Sequence, residues 1–311
     1  MRIVNLMENT PGAAGCVNEH GLSFYVETRK HVLLIDAGPD GELLLANAKA
    51  KGVDLSKVDT VFLSHGHYDH GDGLAAFASV NPNAVIYMMR DADQAFYKMD
   101  TETESHYLGL SDEVKAIPQI VRLDGDEVLD EELTVFSGMK HIHPMPVGNA
   151  PLRIKVREEL VKDAFSHELC VAIEEDGVSV LMSGCAHSGI LNILDRYQEA
   201  CGGEPDYVIS GFHMRKKDGL TDEDITAVLE TAEALKKYKK TRFITCHCTG
   251  IGAYEIMKQV MGEQLSYIHC GEELEIVPEK DRRAEIARDA VIAGAALLSV
   301  AAFVIGRRRR F

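Results

Sequence analysis

Residues 65 to 70 read HGHYDH, placed where an apolar run of strand length, VDTVFL at 58 to 63, gives way to Gly71-Asp72-Gly73 and the helical-looking LAAFASV. His65, His67, Asp69 and His70 put three imidazoles and a carboxylate into six positions. Such a run makes poor core or helix, but presented from a loop it can grip two cations side by side. The ligands therefore sit where a buried strand ends and a helix begins. A neutral ligating imidazole also needs an acceptor for its second ring nitrogen. Asp36, ending the strand HVLLID ahead of Ala37-Gly38-Pro39, is the candidate acceptor.

Two further stretches repeat the pattern of apolar strand, histidine in a turn of small residues, then helix. VSVLM at 178 to 182 leads into SGCAHSG, which carries His187, and RFIT at 242 to 245 leads into CHCTG, which carries His247. Strand ends of α/β sheets are where sites collect, so both histidines are candidate metal ligands. The periodicity predicts strands near 2–6, 22–27, 31–36, 58–63 and 84–88 with helices near 41–51 and 71–80. A second pass predicts strands near 169–174, 178–182, 206–209 and 242–246, with helices near 188–200, 221–238 and 252–261. Thr221 and Asp224 resemble a capping box at the start of the long helix. The expectation is an α/β domain of two similar halves over residues 1–278. Residues 90 to 165 read as a helical excursion followed by a proline-punctuated loop that crosses between the halves, with His141 and His143 facing solvent.

The formal charge of −16 disfavours general affinity for nucleic-acid backbone. MRIVNLMENTPG carries neither a basic region nor a long apolar run, so no secretory signal is expected there. Seven cysteines, an odd number without a disulfide-framework spacing, suit a reducing cytosol. A cytoplasmic location follows as an expectation. Residues 290–306, AVIAGAALLSVAAFVIG, lack charge and precede four arginines, Arg307 to Arg310. That length is the lower limit for a span, so residues 279–311 are expected to form a separate C-terminal hydrophobic helix, a candidate membrane tether.

These residues carry a resemblance. With HGHYDH as signature, residues 1 to about 275 resemble the metallo-β-lactamase fold, and SGCAHSGILNIL, SGFHM and TCHCTG resemble its 7,8-dihydropterin-6-methyl-4-(ribofuranosyl)aminobenzene phosphate synthase-like branch. The resemblance implies a four-layer αβ/βα sandwich with the metal site at the edge between two sheets. It implies two divalent metal ions, zinc in the first place and iron or manganese as alternatives. His65, His67 and His187 would hold one, and Asp69, His70 and His247 the other. Where many relatives carry a bridging Asp this chain has Cys185, so Cys185, His167 and Glu168 are three open candidates for completing the set. His213 of SGFHM is expected to face substrate and, with Asp69, to be catalytic, while Arg215, Lys216 and Lys217 could attract a phosphate.

The chemistry expected of such a site is hydrolysis of a phosphorylated small molecule by metal-bound hydroxide at a dinuclear centre. The alternatives are the named synthase, a phosphoribosyl-type transfer, and a metal-binding sensor without turnover. His67, where flavo-diiron relatives use Glu, argues against oxygen reduction.

Overall fold

A computed structural model describes residues 1–277. The expected C-terminal helix and tether at 290–306 lie outside the described residues, and among those described no helix is long and apolar enough to cross a membrane. Met1–Leu274 form one compact unit.

Both large sheets are built the same way. In the first, Arg2–Met7, Ser23–Glu27 and Val32–Ile35 pair antiparallel. Thr60–Phe62, Val85–Met89 and Ile120–Leu123 then continue the sheet in parallel from Val32–Ile35. In the second, Leu133–Phe136, Cys170–Glu175 and Val178–Ser183 pair antiparallel, and Tyr207–Ser210, Arg242–Thr245 and Leu265–Tyr267 continue in parallel. Antiparallel hairpins close through short turns, whereas each parallel step needs a crossover. The crossovers here are mostly helices: Gly41–Ala50 and Leu74–Val80 in the first half, Ile190–Cys201, Asp222–Leu235 and Ile251–Met261 in the second.

Alternation along the strands decides which face meets those helices. Val4, Leu6, Leu34, Val61 and Ile86 pack with Leu44, Ala48, Leu74 and Phe77, while Leu181, Val208 and Phe243 pack with Ile193, Val228, Ala232 and Met257. The intervening residues, Ile3, Phe24, Leu33 and Phe62 in one sheet and Ile173, Val180, Met182 and Ile209 in the other, are also closed to solvent. Contacts join the two sheets at both ends. The Leu169 amide donates to the Ser64 carbonyl at 2.7 Å, and the Arg29 amide to Glu175 at 2.6 Å.

Three expectations need correction. The stretch 90 to 165 is not a helical excursion: Phe96–Met99, Ser105–Tyr107, Leu152–Val156 and Glu159–Lys162 form a four-stranded antiparallel sheet. The two-residue periodicity of FYKM and LRIKV outweighs the helix-compatible composition, because Phe96, Leu108, Leu152 and Phe165 bury together as a small separate core. Within the same stretch Leu133–Phe136 is an inner strand of the second large sheet. The helix expected over 71–80 is broken into Tyr68–Gly71 and Leu74–Val80, so that Asp69 and His70 lie on a helical turn of their own. The Thr221–Asp224 capping box is present, a device worth about 1 kcal/mol.

Candidate metal centre

The loops that follow Val32–Ile35, Thr60–Phe62, Val178–Ser183, Tyr207–Ser210 and Arg242–Thr245 each deliver polar side chains to one cluster. Asp36 follows Val32–Ile35 in a left-handed conformation (φ 59°) and accepts from the Ser64 amide and hydroxyl, each at 2.7 Å, and from His70 Nδ1 at 2.6 Å. One buried carboxylate thus ties the start of the metal loop to its last histidine, as the sequence suggested. His65 Nδ1 meets the Ser64 hydroxyl at 2.9 Å. Gly66 is required by space, since a Cβ there would run into the Ala92 carbonyl and the Phe96 ring. Its amide donates to His167 Nδ1 at 3.0 Å.

The two distant histidines are held by one device used twice. Asn149 donates its amide group to the His187 carbonyl at 2.7 Å, and its Oδ1 faces His187 Nδ1 at 3.0 Å. Asn9 does the same for His247, at 3.2 Å and 2.8 Å. Each loop is also fixed by a glutamate: Glu168 accepts from the His187 and Ser188 amides at 2.6 Å and 2.9 Å, and Glu8 from the His247 amide at 2.7 Å. The NH₂ groups of both asparagines are spent on carbonyls, so each Oδ1 can only accept, and the proton of each imidazole sits on Nδ1.

The consequence is that Nε2 of each clamped histidine is turned away from its asparagine and aimed at a ring nitrogen of the metal loop. His65 Nε2 lies 3.2 Å from His187 Nε2, and His70 Nε2 lies 3.3 Å from His247 Nε2. Facing lone pairs at that distance repel unless a cation or proton sits between them. The His67 ring stands 4.5 Å from that of His65 and 5.0 Å from that of His187, with its Nε2 buried and unpartnered. Asp69 brings a carboxylate oxygen within 3.5 Å of His247 Nε2 and 3.8 Å of His70 Nε2. Cys185 Sγ is 3.2 Å from His70 Nε2, and it joins each pair in a cluster whose ligand atoms lie within 4.8 Å of one another, His65–Cys185–His187 and His70–Cys185–His247. These residues fit two cations: nitrogen donors freed by their neighbours, one carboxylate, and a thiol between the sets.

Electrostatics follow the same division. Burial, then the neighbouring imidazoles, hold His65 and His187 well below the usual histidine range, and burial with His167 puts His67 at about 3. Their lone pairs are therefore available at neutral pH. Burial also opposes charge on His70, but Asp36 and Asp69 outweigh it and raise the group to about 9. A cation that takes His70 Nε2 must displace that proton. Burial pushes the Cys185 thiol up.

Of the three open candidates, the structure favours one. Glu168 spends its oxygens on backbone amides, and His167 spends Nδ1 on Gly66 and Nε2 on Asp163 at 3.1 Å. Only Cys185 points a free donor at the histidines. His167 clusters with His67 and Asp163 as a hydrogen-bonded prop for the loop. His213 follows Tyr207–Ser210 in a left-handed conformation (φ 48°), its ring 4.1 Å from that of His187. Lys216 is engaged by Asp224 at 2.7 Å. Arg215 has no carboxylate partner among the described residues and reaches His20 Nδ1 at 3.4 Å. His20 itself, 46 % exposed, touches Asp69 at 3.3 Å, and its ring lies tilted 5.1 Å from that of His247. Sequence reasoning missed His20, Asn9, Asn149 and Glu8. Glu8-Asn9 at the end of a strand was the one available signal, because it repeats the strand-end placement of the other site residues.

Comparison with known proteins gives the family and the fold. The sequence profile described as the Metallo-beta-lactamase superfamily matches residues 18–247. The 7,8-dihydropterin-6-methyl-4-(beta-D-ribofuranosyl)-aminobenzene-5'-phosphate synthase of Methanocaldococcus jannaschii is 26% identical over 281 residues, 82% of this chain and 89% of that protein. Among solved structures, Tm1679, described as a metal-dependent hydrolase of the beta-lactamase superfamily, is 24% identical with a TM-score of 0.74, covering 89% of this chain and 100% of its own. Zn(2+)-bound PqqB from Methylobacterium extorquens shares the fold at 14% identity and a TM-score of 0.50, with coverage of 89% and 100%.

Proposed function

We propose that this chain, which belongs to the metallo-beta-lactamase superfamily, is a metal-dependent hydrolase of a phosphorylated small molecule, its two helix-backed sheets forming a four-layer αβ/βα sandwich. The observation that carries the reading is the pair of facing Nε2 contacts, His65–His187 and His70–His247, joined through Cys185 and opening on one side to Asp69, His20 and Arg215. His65, His67 and His187 would hold one divalent ion and Asp69, His70 and His247 the other, with Cys185 between them. Two such ions, zinc first and iron or manganese as alternatives, supply Lewis acidity and bring the pKa of water towards neutrality.

The protein's own groups divide the remaining work. Asp69 lies on the open side and its carboxylate can accept a hydrogen bond from the attacking water, fixing its direction. His213, beside His187 and with a buried unpartnered Nδ1, is placed to give a proton to the departing oxygen. Arg215 is the anion anchor: it is exposed beside Asp69 and His20 and, unlike Arg2, Arg29, Arg90, Arg122 and Arg196, is not held by a carboxylate among the described residues. The test is direct. Purified chain should carry about two metal ions and cleave p-nitrophenyl phosphate mono- or diesters; metal-loaded protein inert on phosphoester, lactone, thioester and lactam panels would overturn hydrolysis in favour of a sensor.

The synthase reading has its own support in the M. jannaschii relative, whose similarity spans 82% of this chain. It predicts product from phosphoribosyl pyrophosphate and an aminobenzoate or hydroxybenzoate donor, detected by mass.

A further inference from the structure

A third cluster shares Cys185 with the two already described and adds His213 and Cys248, which neither of them uses. The ligand atoms of Cys185, His213 and Cys248 lie within 4.8 Å of one another. Cys248 comes from the loop TCHCTG and His213 from SGFHM, and the loops are locked together: the Phe212 amide donates to the Thr249 hydroxyl at 2.7 Å, and the Arg215 amide to the Cys248 carbonyl at 2.9 Å. The Cys248 sulfur is packed straight onto Gly211, where a Cβ would collide with it, and lies 3.5 Å from the Cys185 carbonyl. The glycine of SGFHM is thus explained by the sulfur that it admits. On the other side, Gly148 presses on His213 so closely that a Cβ there would come within 3.0 Å of Nε2, which leaves Nδ1 as the buried nitrogen without a partner.

From this we propose a third, thiolate-rich cation position, Cys185–His213–Cys248, that takes a thiophilic divalent ion such as zinc and regulates the neighbouring pair. Two sulfurs and a nitrogen with an open fourth direction are a tetrahedral zinc set, and ligand atoms on such an ion stand about 3.8 Å apart, inside the observed span. A third dication so close to two others needs added negative charge, and the Cys248 thiolate provides it: binding releases the Cys248 proton to solvent and forms a cation–sulfur bond to Cys248, while the Cys185 sulfur is shared with the pair. No oxidant or reductant is involved. A nitrogen of His213 engaged by this ion is no longer free to give a proton, so excess metal should inhibit. The inference rests on the two-metal reading for its regulatory half and stands on the cluster itself for binding.

The test is a titration of metal-free full-length chain with cobalt(II), followed by absorption in the thiolate-to-cobalt region and by metal analysis. The unmodified protein should take three ions per chain, the last accompanied by a new gain in charge-transfer absorption. Cys248→Ser should take two and lose that final gain. Three ions in wild type and two in C248S support the proposal. Two ions in both, with superimposable spectra, overturn it and leave the two-metal reading standing. No bound ion in wild type overturns both. If C248S does not fold, the wild-type titration alone decides, because a plateau at two equivalents contradicts a third position. Where turnover is measurable, excess zinc should inhibit wild type more than C248S.

Discussion

The two halves of the centre are secured alike and exposed differently. His187 and His247 are each clamped by an asparagine on the ring and by a glutamate on the backbone. Around His187 the set is buried: His65, His67 and His187 are closed to solvent, and the donor beside the imidazoles is the Cys185 sulfur, with no carboxylate in that cluster. Around His247 the set is mixed, with Asp69 and Cys185, and half-exposed His20 leads out to Arg215. One half has the character of a buried grip without a carboxylate; the other keeps a carboxylate and a route to solvent. The difference teaches how a pseudo-symmetric fold can divide labour, because the same strand-end device yields a holding position on one sheet and a working position on the other.

Removing a ligand on either side should have the largest effect. His187→Ala and His247→Ala should each cost one of the two ions and bring turnover near background, measured by metal analysis and assay; equal retention of both ions in either variant would break the comparison. Next come the clamps. Asn149→Ala and Asn9→Ala leave the donor atom but free its tautomer and orientation, and each should weaken one metal about 10–100-fold, read by chelator competition. If both variants weaken the same ion, the two halves are not independent.

The open side is probed more gently. Arg215→Ala should raise KM for a phosphorylated substrate about tenfold through loss of a charge-assisted contact, with metal content unchanged. A fall in metal content instead would make Arg215 a structural prop. The smallest effect belongs to a joint far from the metals. His31 spans the halves, with Nδ1 3.0 Å from Asp59 and Nε2 2.6 Å from Asp130. Burial opposes its charge, but the two carboxylates win and raise its pKa. A raised folded-state pKa stabilises fully below the unfolded histidine value, about 6.5, and that contribution is lost as pH rises through the folded value. His31→Gln should therefore lower Tm by about 1–2 °C in mild acid and by less above neutrality, with both metals retained.

Much of this was legible in the residues. HGHYDH, the histidines after VSVLM and RFIT, and the carboxylate closing HVLLID all announce themselves by following an apolar run, and a buried strand of a parallel sheet is a near-continuous apolar run. The third sheet was not legible. Phe96–Met99 and its partners are short, carry lysines and tyrosines, and owe their state to pairing with strands some fifty positions away. Asn9 and Asn149 were hidden for a related reason: an asparagine in a loop reads as a turn former, and nothing local says that its amide closes on a histidine 238 or 38 positions away.

The sequence by itself determined the donor atoms, the strand ends that present them and the α/β alternation, because these depend on residue type and on periods of two and 3.6 that are written locally. Tertiary structure alone decided which donors face one another, that Cys185 and not His167 or Glu168 is free to join them, and which half opens to solvent. Those outcomes are distances between loops from two sheets, and a distance across a packed interface is fixed by how side chains fill it, not by any one segment.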